Sequence, residues 1–198
     1  MPRYELQPGT GIDGLRAGET SDKQLRGMYI RVAIKAATLN YRDLLIAKGL
    51  YGGLPNHPII PLSDGVGEVA EVGREVTRFR VGDRVVTTFY PDWHDGPGSL
   101  DRKRDSYGAQ LDGVLAQQLI AHEDGLVRVP DGLSDAGAAA LPCAGVTAWN
   151  ALFHRGRARP GDTLLILGTG GVAIWALQIA VASGLNSIVT SSSAAKLA

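Results

Sequence analysis

Cysteine is almost absent from this sequence of 198 residues, in which Cys143 is the single one. One cysteine excludes an internal disulfide framework and any zinc site built from several cysteines. Net charge is also lacking, since 20 basic residues offset 20 acidic ones, which excludes the basic surface typical of nucleic-acid or anionic-membrane binding. No apolar run reaches the roughly 18 residues of a membrane span, and the N-terminus lacks the layout of a secretory signal. These absences predict a soluble, cytoplasmic protein without nucleic-acid or membrane partners.

Glycine and apolar residues are plentiful instead, at 26 residues and 44% of the chain. The first two thirds of the chain contain short, strand-like segments with glycine at their edges, interrupted once by helical spacing in "NYRDLLIAKGL". This pattern predicts a small, partly open β-barrel or sandwich over residues 1–130. A polar loop is expected over residues 91–112. The strand-like segments span residues 28–40, 65–73, 82–90, 113–121 and 125–130.

The pattern changes near Pro130, and residues 131–198 are predicted to form an α/β unit. Ser134 is a suitable N-cap for a short helix, and Pro142 can begin a second helix. A continuous apolar strand over residues 163–167 is followed by an apolar helix over 172–183 and a second strand over 186–190. The order strand, helix, strand implies a right-handed crossover of the Rossmann type.

A glycine loop connects that strand to that helix. Gly168, Gly170 and Ala173 form the pattern G-x-G-x-x-A, which permits a tight turn, close approach of a pyrophosphate, and packing of helix on strand. The helix N-terminus would add unpaired N–H groups and a positive dipole. The alternative is a structural turn without a ligand. The predicted cofactor-binding residues are Gly168, Thr169, Gly170, Gly171, Val172 and Ala173.

The segment after the second strand bears on the choice of cofactor. An NAD-binding unit places an acidic residue about 20 residues after the glycines, but this region is "TSSSAAK". The hydroxyls of Ser191, Ser192 and Ser193 can donate hydrogen bonds, and Lys196 can offset a 2′-phosphate. We therefore expect NADP(H) in preference to NAD(H), with an unspecialised polar loop as the alternative.

Five segments carry a resemblance to a known family: "NYRD", "PLSDGVGEVAEVG", "VGDRVV", "PCAGVTAWNAL" and "GTGGVA". In this order they resemble the medium-chain dehydrogenase/reductase superfamily, and most of all its zinc-free alcohol dehydrogenase/quinone oxidoreductase-like branch. The resemblance implies a GroES-like β-barrel catalytic domain followed by a Rossmann cofactor domain. It further implies hydride transfer between NADP(H) and a carbonyl, alcohol, quinone or enone substrate. Full-length relatives commonly form homo-oligomers.

Departures from the family pattern concern zinc. Zinc-dependent members hold the catalytic metal with a Cys, a His in a Gly-His-Glu motif, and a second Cys. The resemblance aligns these positions with Asn40, Ser63 and Cys143, so two of the three ligand types are lost. We therefore expect no metal site, while a zinc-dependent alcohol dehydrogenase remains an alternative.

Without zinc, hydrogen bonds must stabilise negative charge on the substrate oxygen. The resemblance places Asn40 and Tyr41 beside nicotinamide and substrate, and Tyr41 could donate a proton or simply pack at the cleft wall. Asp64 matches the acid after the lost His, which lies near the metal in zinc-dependent members. Arg42 replaces a proton-relaying hydroxyl residue; it could form an ion pair with Asp43 that shapes the site, and a structural role for both residues is the alternative. Thr147 matches a residue that contacts the nicotinamide carboxamide. The predicted catalytic residues are Asn40, Tyr41, Asp43 and Asp64.

The Rossmann-type unit is incomplete in this sequence, because one β-α-β unit is present where about six strands are usual. Such a unit would leave a long sheet edge exposed and an apolar face of the helix uncovered. A second hypothesis therefore stands beside the oxidoreductase: a truncated, non-catalytic remnant or interaction module of the same family.

Overall fold

In a computed structural model, residues 1–19, 24–94, 96 and 105–196 are described, and contacts divide the chain after Pro142 into two compact units. The predicted loop over residues 91–112 lies partly outside the described residues.

The first unit is a five-stranded antiparallel sheet with an N-terminal hairpin. The sheet order is β6-β3-β4-β5-β7, and β1 pairs with β2. Helix α1 follows β3 directly, which places the "NYRD" segment at one end of the sheet. The elements are β1 (Pro2–Leu6), β2 (Leu15–Glu19), β3 (Tyr29–Thr38), α1 (Tyr41–Ala47), β4 (Asp64–Val72), β5 (Arg84–Thr87), β6 (Gln118–His122), β7 (Leu126–Arg128) and α2 (Asp135–Ala139).

The first unit has two main clusters of buried apolar side chains along this sheet, the larger one around β3 and β4 and the second including Ala138 and Ala139 of α2. Ile30 and Val32 on β3 and Val69 on β4 are at most 2% exposed, and each buried side chain of this size contributes roughly 1.5–3 kcal/mol. Helix α2 packs on β3 and β4 and therefore belongs with the sheet. The Ser134 hydroxyl accepts a hydrogen bond from the Gly137 N–H at 3.1 Å, as expected of an N-cap.

The second unit contains one β-α-β unit preceded by a helical segment. Strands β8 and β9 are parallel and in register from Thr163↔Asn186 to Leu167↔Thr190. The helical segment has π-helical turns on both sides of a short α-helix. The elements are the π-turns Leu141–Gly145 and Asn150–Arg155, α3 (Val146–Trp149), β8 (Thr163–Leu167), α4 (Gly171–Ala182) and β9 (Asn186–Thr190).

One face of the β8–β9 sheet carries exposed apolar side chains. Leu165 is 58% exposed, Leu167 is 76% and Ile188 is 55%, while the intervening Ile166 is buried. Alternation along a strand explains the difference, since α4 packs on the sheet with Ile166 and the other face carries no packed element among the described residues. This exposed apolar face belongs to the sheet, whereas the sequence led us to expect one on the helix. No helix in the described ranges is long and apolar enough to span a membrane.

Candidate functional site

The end of β3 and the start of β4 bring the "NYRD" and "LSD" segments together. Thr38 pairs with Asp64 at this end of the sheet, so Asn40 lies two residues beyond the paired position. The backbone N–H of Asn40 donates to Asp43 Oδ2 at 2.7 Å, which ties the carboxylate to the first turn of α1. Asn40, Asp43 and Asp64, three of the predicted catalytic residues, therefore belong to one polar cluster.

Two polar atoms of this cluster are buried without a hydrogen-bond partner among the described residues: Asn40 Nδ2 and Asp43 Oδ1. Burial raises the pKa of Asp43 above its ordinary value of 3.8, and the nearby charge of Asp64 raises it further. The Asn40 N–H and the charge of Arg42 act in the opposite direction without reversing the shift. A buried donor and a buried acceptor without partners are costly, so they are candidates for contact with a ligand or water.

Ser63 and Asp64 are fully buried beside this pair. The Ser63 hydroxyl donates to Asp64 Oδ1 at 2.5 Å, and the Thr87 hydroxyl donates to the Ser63 carbonyl at 2.8 Å. The Gly65 N–H donates to the Thr87 hydroxyl oxygen at 3.0 Å. Ser63 is thus occupied by internal hydrogen bonds, which fix Asp64 in place.

The residue before Ser63 has an unusual backbone. Leu62 has φ of 71°, a left-handed conformation that costs a non-glycine residue of order 1 kcal/mol or more. Its carbonyl accepts from the Val114 N–H at 3.0 Å, and its side chain is 5% exposed. Gly108 and Gly113 pack directly against the Leu62 backbone, where a Cβ atom would lie within 2.7 Å of it. Sequence patterns missed this strained position because leucine gives no signal of positive φ.

Arg42 is 7% exposed, and its guanidinium forms no ion pair with Asp43, the first of the two possibilities. Its guanidinium donates to Ser106 Oγ at 2.7 Å and to the Tyr107 carbonyl at 2.9 Å. It also lies over the rings of Tyr51 at 4.9 Å and Phe89 at 4.5 Å. The two terminal nitrogens of the guanidinium therefore bind outside α1, Arg42 Nε is buried without a hydrogen-bond partner among the described residues, and the Asp43 carboxylate accepts from the backbone. No local sequence pattern indicates contacts between segments so far apart.

Tyr41 is 76% exposed, so its hydroxyl is available to a ligand, and it is not packed within the chain as the alternative required. The cluster offers poor ligands for zinc, because Asn40 has a carboxamide and Ser63 has a hydroxyl. The described ranges contain no group of three or more His, Cys, Asp or Glu side chains that could hold a metal ion. The loop residue His94 lies at the surface, with 64% of its side chain exposed.

The glycine loop of the second unit has the geometry that its pattern predicts. Gly168 has φ of 86°, and its N–H donates to the Thr190 carbonyl at 2.9 Å, which joins the ends of β8 and β9. A Cβ atom at Gly168 or Gly170 would meet nothing within 4 Å, so the space above the loop is open. Helix α4 begins at Gly171, has 12 residues and has no acidic residue in its first turn. This arrangement fits a bound pyrophosphate.

The serine segment lies at the same edge of the sheet, because parallel strands end together. Thr190 pairs with Leu167, and Ser191 to Ser193 therefore follow β9 beside the glycine loop. The Ser193 N–H donates to Ser191 Oγ at 3.1 Å, while Ser192 and Lys196 are exposed. In the same unit, Thr147 is exposed on α3, and Ala144 would lie 3.7 Å from a Cβ atom at Gly171. The segment after β9 therefore lies at the glycine-loop edge of the sheet, and the helical segment at Ala144 contacts the start of α4.

Comparison with known proteins identifies relatives for both units. Residues 27–131 match the alcohol dehydrogenase GroES-like domain. Over 191 residues the chain is 42% identical to a zinc-type alcohol dehydrogenase-like protein of Schizosaccharomyces pombe, covering 95% of this chain and 55% of that protein. It is 34% identical to an acryloyl-coenzyme A reductase of Metallosphaera sedula, covering 92% and 57% of the two chains.

Solved structures agree with this assignment of the fold. A quinone oxidoreductase from Pseudomonas syringae pv. Tomato superposes with a TM-score of 0.80 at 31% identity, covering 98% of this chain and 54% of that one. The chain thus spans little more than half the length of the proteins that it matches.

Proposed function

Because the chain belongs to the alcohol dehydrogenase GroES-like family of medium-chain dehydrogenases/reductases, we propose that it is an NADP(H)-dependent oxidoreductase that works without catalytic zinc. The proposed substrates are small molecules with a carbonyl group or with a conjugated enone or quinone. The observation that carries the proposal is the open glycine loop between β8 and α4.

Cofactor binding is supported by the residues that would hold it. Gly168 and Gly170 leave room for a pyrophosphate, and the N–H groups of the first turn of α4 have no partner within the helix. Thr147 would contact the nicotinamide end, as the family resemblance implies. When bound, a reduced nicotinamide supplies a hydride.

The preference for NADP(H) rests on charge beside the glycine loop. Ser191 to Ser193 and Lys196 follow β9, and no acidic side chain stands where a ribose 2′-hydroxyl would be held. A lysine ammonium attracts a 2′-phosphate, whereas a carboxylate would repel it. We expect Lys196→Gln to weaken NADPH binding several-fold and to leave NADH binding unchanged.

The zinc-free chemistry rests on the donor set of the first unit. Asn40 offers a carboxamide donor, and the exposed Tyr41 offers a hydroxyl, which together would stabilise charge developing on a substrate oxygen. The Tyr41 hydroxyl would supply or share a proton with that oxygen. Burial raises the pKa of Asp43, two residues along α1, above its ordinary value. Asp64, fixed by Ser63, would help to set the charge state of Asp43.

Titration of the chain with NADPH, followed by tryptophan fluorescence, tests cofactor binding. Trp149 and Trp175 lie on α3 and α4 and act as reporters. Gly170→Ala should preserve the fold, since its Cβ meets nothing within 4 Å, but it should raise the NADPH Kd by about tenfold, or 1.4 kcal/mol. Gly52→Ala is the matched control, because its Cβ also meets open space and lies in the other unit. Absence of saturable quenching at millimolar NADPH would refute cofactor binding by this chain.

Product analysis tests the reaction class. Cinnamaldehyde contains both a carbonyl and a conjugated alkene, so its products show which bond is reduced. Metal analysis of the purified chain should find no stoichiometric zinc. Stoichiometric zinc that is lost together with activity would instead favour the zinc-dependent alternative.

A second candidate function is an interaction module without catalysis. The exposed face of Leu165, Leu167 and Ile188 favours it, since contiguous exposed apolar side chains mark interaction surfaces. Under this hypothesis the chain binds no NADPH, and its association depends on that face. Sedimentation of Leu167→Ser with and without NADPH separates the two functions.

A further inference from the structure

The buried contacts of Arg42 are not explained by the role that its sequence position suggests. A hydroxyl residue at this position could relay protons, but an arginine is not deprotonated in proteins and cannot do so. Its side chain is 7% exposed, and every described contact of its guanidinium reaches a residue outside α1. Its function must therefore be to hold neighbouring segments in place.

The contacts of Arg42 reach chain segments on both sides of the loop after β5. Phe89 precedes that loop, and its ring lies 4.5 Å from the guanidinium carbon. Ser106 and Tyr107 follow the loop and accept hydrogen bonds at 2.7 and 2.9 Å. Tyr51, from the segment after α1, covers the guanidinium at 4.9 Å. One side chain thus holds three separate segments.

A second layer of hydrogen bonds extends this arrangement. The Ser106 hydroxyl and N–H both donate to Gln110 Oε1 at 3.1 Å. The Gln110 amide donates to the carbonyls of Gly52 and Gly53 at 3.3 and 3.2 Å. The segments that contact Arg42 are therefore also joined to one another, which stiffens the surroundings of α1.

We propose that Arg42 is the positioning residue of the candidate site: its guanidinium fixes Phe89 and the Ser106–Tyr107 segment against the first turn of α1. Asn40 and Tyr41 immediately precede Arg42 at the start of α1. The contacts of Arg42 therefore also hold in place the two residues proposed to contact the substrate. The planar fork is essential, because it donates two hydrogen bonds while its carbon lies within 5 Å of the rings of Tyr51 and Phe89. A lysine ammonium keeps the charge but loses this geometry.

Hydrogen–deuterium exchange of the full chain tests the clamp without requiring activity. The reporter amides are Gly108, which donates to the Leu111 carbonyl, and Leu111, which donates to the Ser106 carbonyl. Arg42→Met should accelerate their exchange at least about tenfold, as local opening becomes easier. Arg42→Lys should accelerate it as well, and it serves as the second variant if the methionine variant does not fold.

The matched control is Arg84→Met, since Arg84 also links two segments, through the Leu133 carbonyl at 2.8 Å and Asp135 at 2.6 Å. It should leave the reporter amides protected. Unchanged exchange in Arg42→Met, wild-type exchange in Arg42→Lys, or equal acceleration in Arg84→Met would each overturn the proposal.

A kinetic readout then separates positioning from stability, and this part alone rests on the proposed function. With NADPH and cinnamaldehyde, Arg42→Lys should raise KM for the aldehyde at least about fivefold. The NADPH Kd should stay within about twofold, because the glycine loop lies in the other unit. An NADPH Kd that rises in parallel with KM would contradict a local role of Arg42. A wild-type chain without activity would refute the proposed function, whereas the exchange result would stand.

Discussion

Replacing Gly113 by alanine would press on the strained backbone in front of Ser63. A Cβ atom at Gly113 would lie 2.0 Å from the Leu62 carbonyl oxygen and 2.5 Å from that of Pro61. Both neighbours are backbone atoms, which cannot rotate away as a side chain would. The Gly113 N–H also donates to the Ile60 carbonyl at 2.7 Å, so any shift stretches this bond.

The magnitude follows from these two effects. Overpacking against a rigid neighbour costs about 1–3 kcal/mol, and weakening one backbone hydrogen bond costs about 1 kcal/mol. We therefore expect Gly113→Ala to lower the free energy of unfolding by about 2–4 kcal/mol. For a unit of this size, that corresponds to a fall in Tm of about 5–15 °C.

Thermal unfolding followed by circular dichroism measures this effect. Gly52→Ala is the control, because its φ is not in the left-handed region and its Cβ would meet nothing within 4 Å, so its stability should change by about 0.5 kcal/mol or less. A Gly113→Ala protein melting within about 2 °C of the wild type would show that the Leu62 backbone yields easily. The account of a rigid, strained turn before Ser63 would then be wrong.

Other substitutions test separate parts of the structure. Burial raises the pKa of Asp43 above 3.8, so the folded chain binds this proton more tightly than the unfolded chain, and the free energy of unfolding falls as pH rises through the raised pKa. Asp43→Asn should flatten this dependence of the free energy of unfolding on pH, measured by urea unfolding between pH 4 and pH 7. An unchanged dependence on pH would argue against the raised pKa. Ser134→Ala removes the acceptor of the Gly137 N–H and should cost about 1 kcal/mol in the same assay, unless the cap is replaced by water. Leu165→Ser combined with Leu167→Ser should reduce self-association of the chain, measured by analytical ultracentrifugation, without lowering the Tm of the first unit. Unaltered self-association would show that the chains associate through another surface.

Local sequence patterns predicted most of the elements, because their physical causes are local. The alternation in β3, the N-cap at Ser134 and the glycines at positions 168 and 170 all act over a few residues. The family could also be recognised from the sequence, because the five short motifs that characterise it occur in the family's order along the chain. The β-α-β order of β8, α4 and β9 was also predicted from local patterns.

The contacts around Arg42 could not be predicted in this way. Its partners Ser106 and Tyr107 are distant in sequence, and only the folded sheet brings them to α1. Leu62 is a second example, because its left-handed backbone is imposed by hydrogen bonds from the segment around Val114. The hairpin β1–β2 was missed as well, since it is stabilised by pairing with distant residues at Ile59 and Ala116. Each omission concerns a long-range contact.

The order of strands in the first sheet also determines how the chain reaches its folded state. Strand β3 pairs with the edge strand β6 on one side and with the central strand β4 on the other, so that Tyr29 meets His122 from the opposite end of the unit. The outermost strand, β7, joins only after β5 has been placed. Chain entropy must be lost before such distant pairs gain stability, which slows folding to the millisecond-to-second range typical of β-rich domains. During synthesis the sheet therefore remains open until residues 118–128 have emerged from the ribosome, and the edge of β3 that pairs with β6 stays unpaired longest.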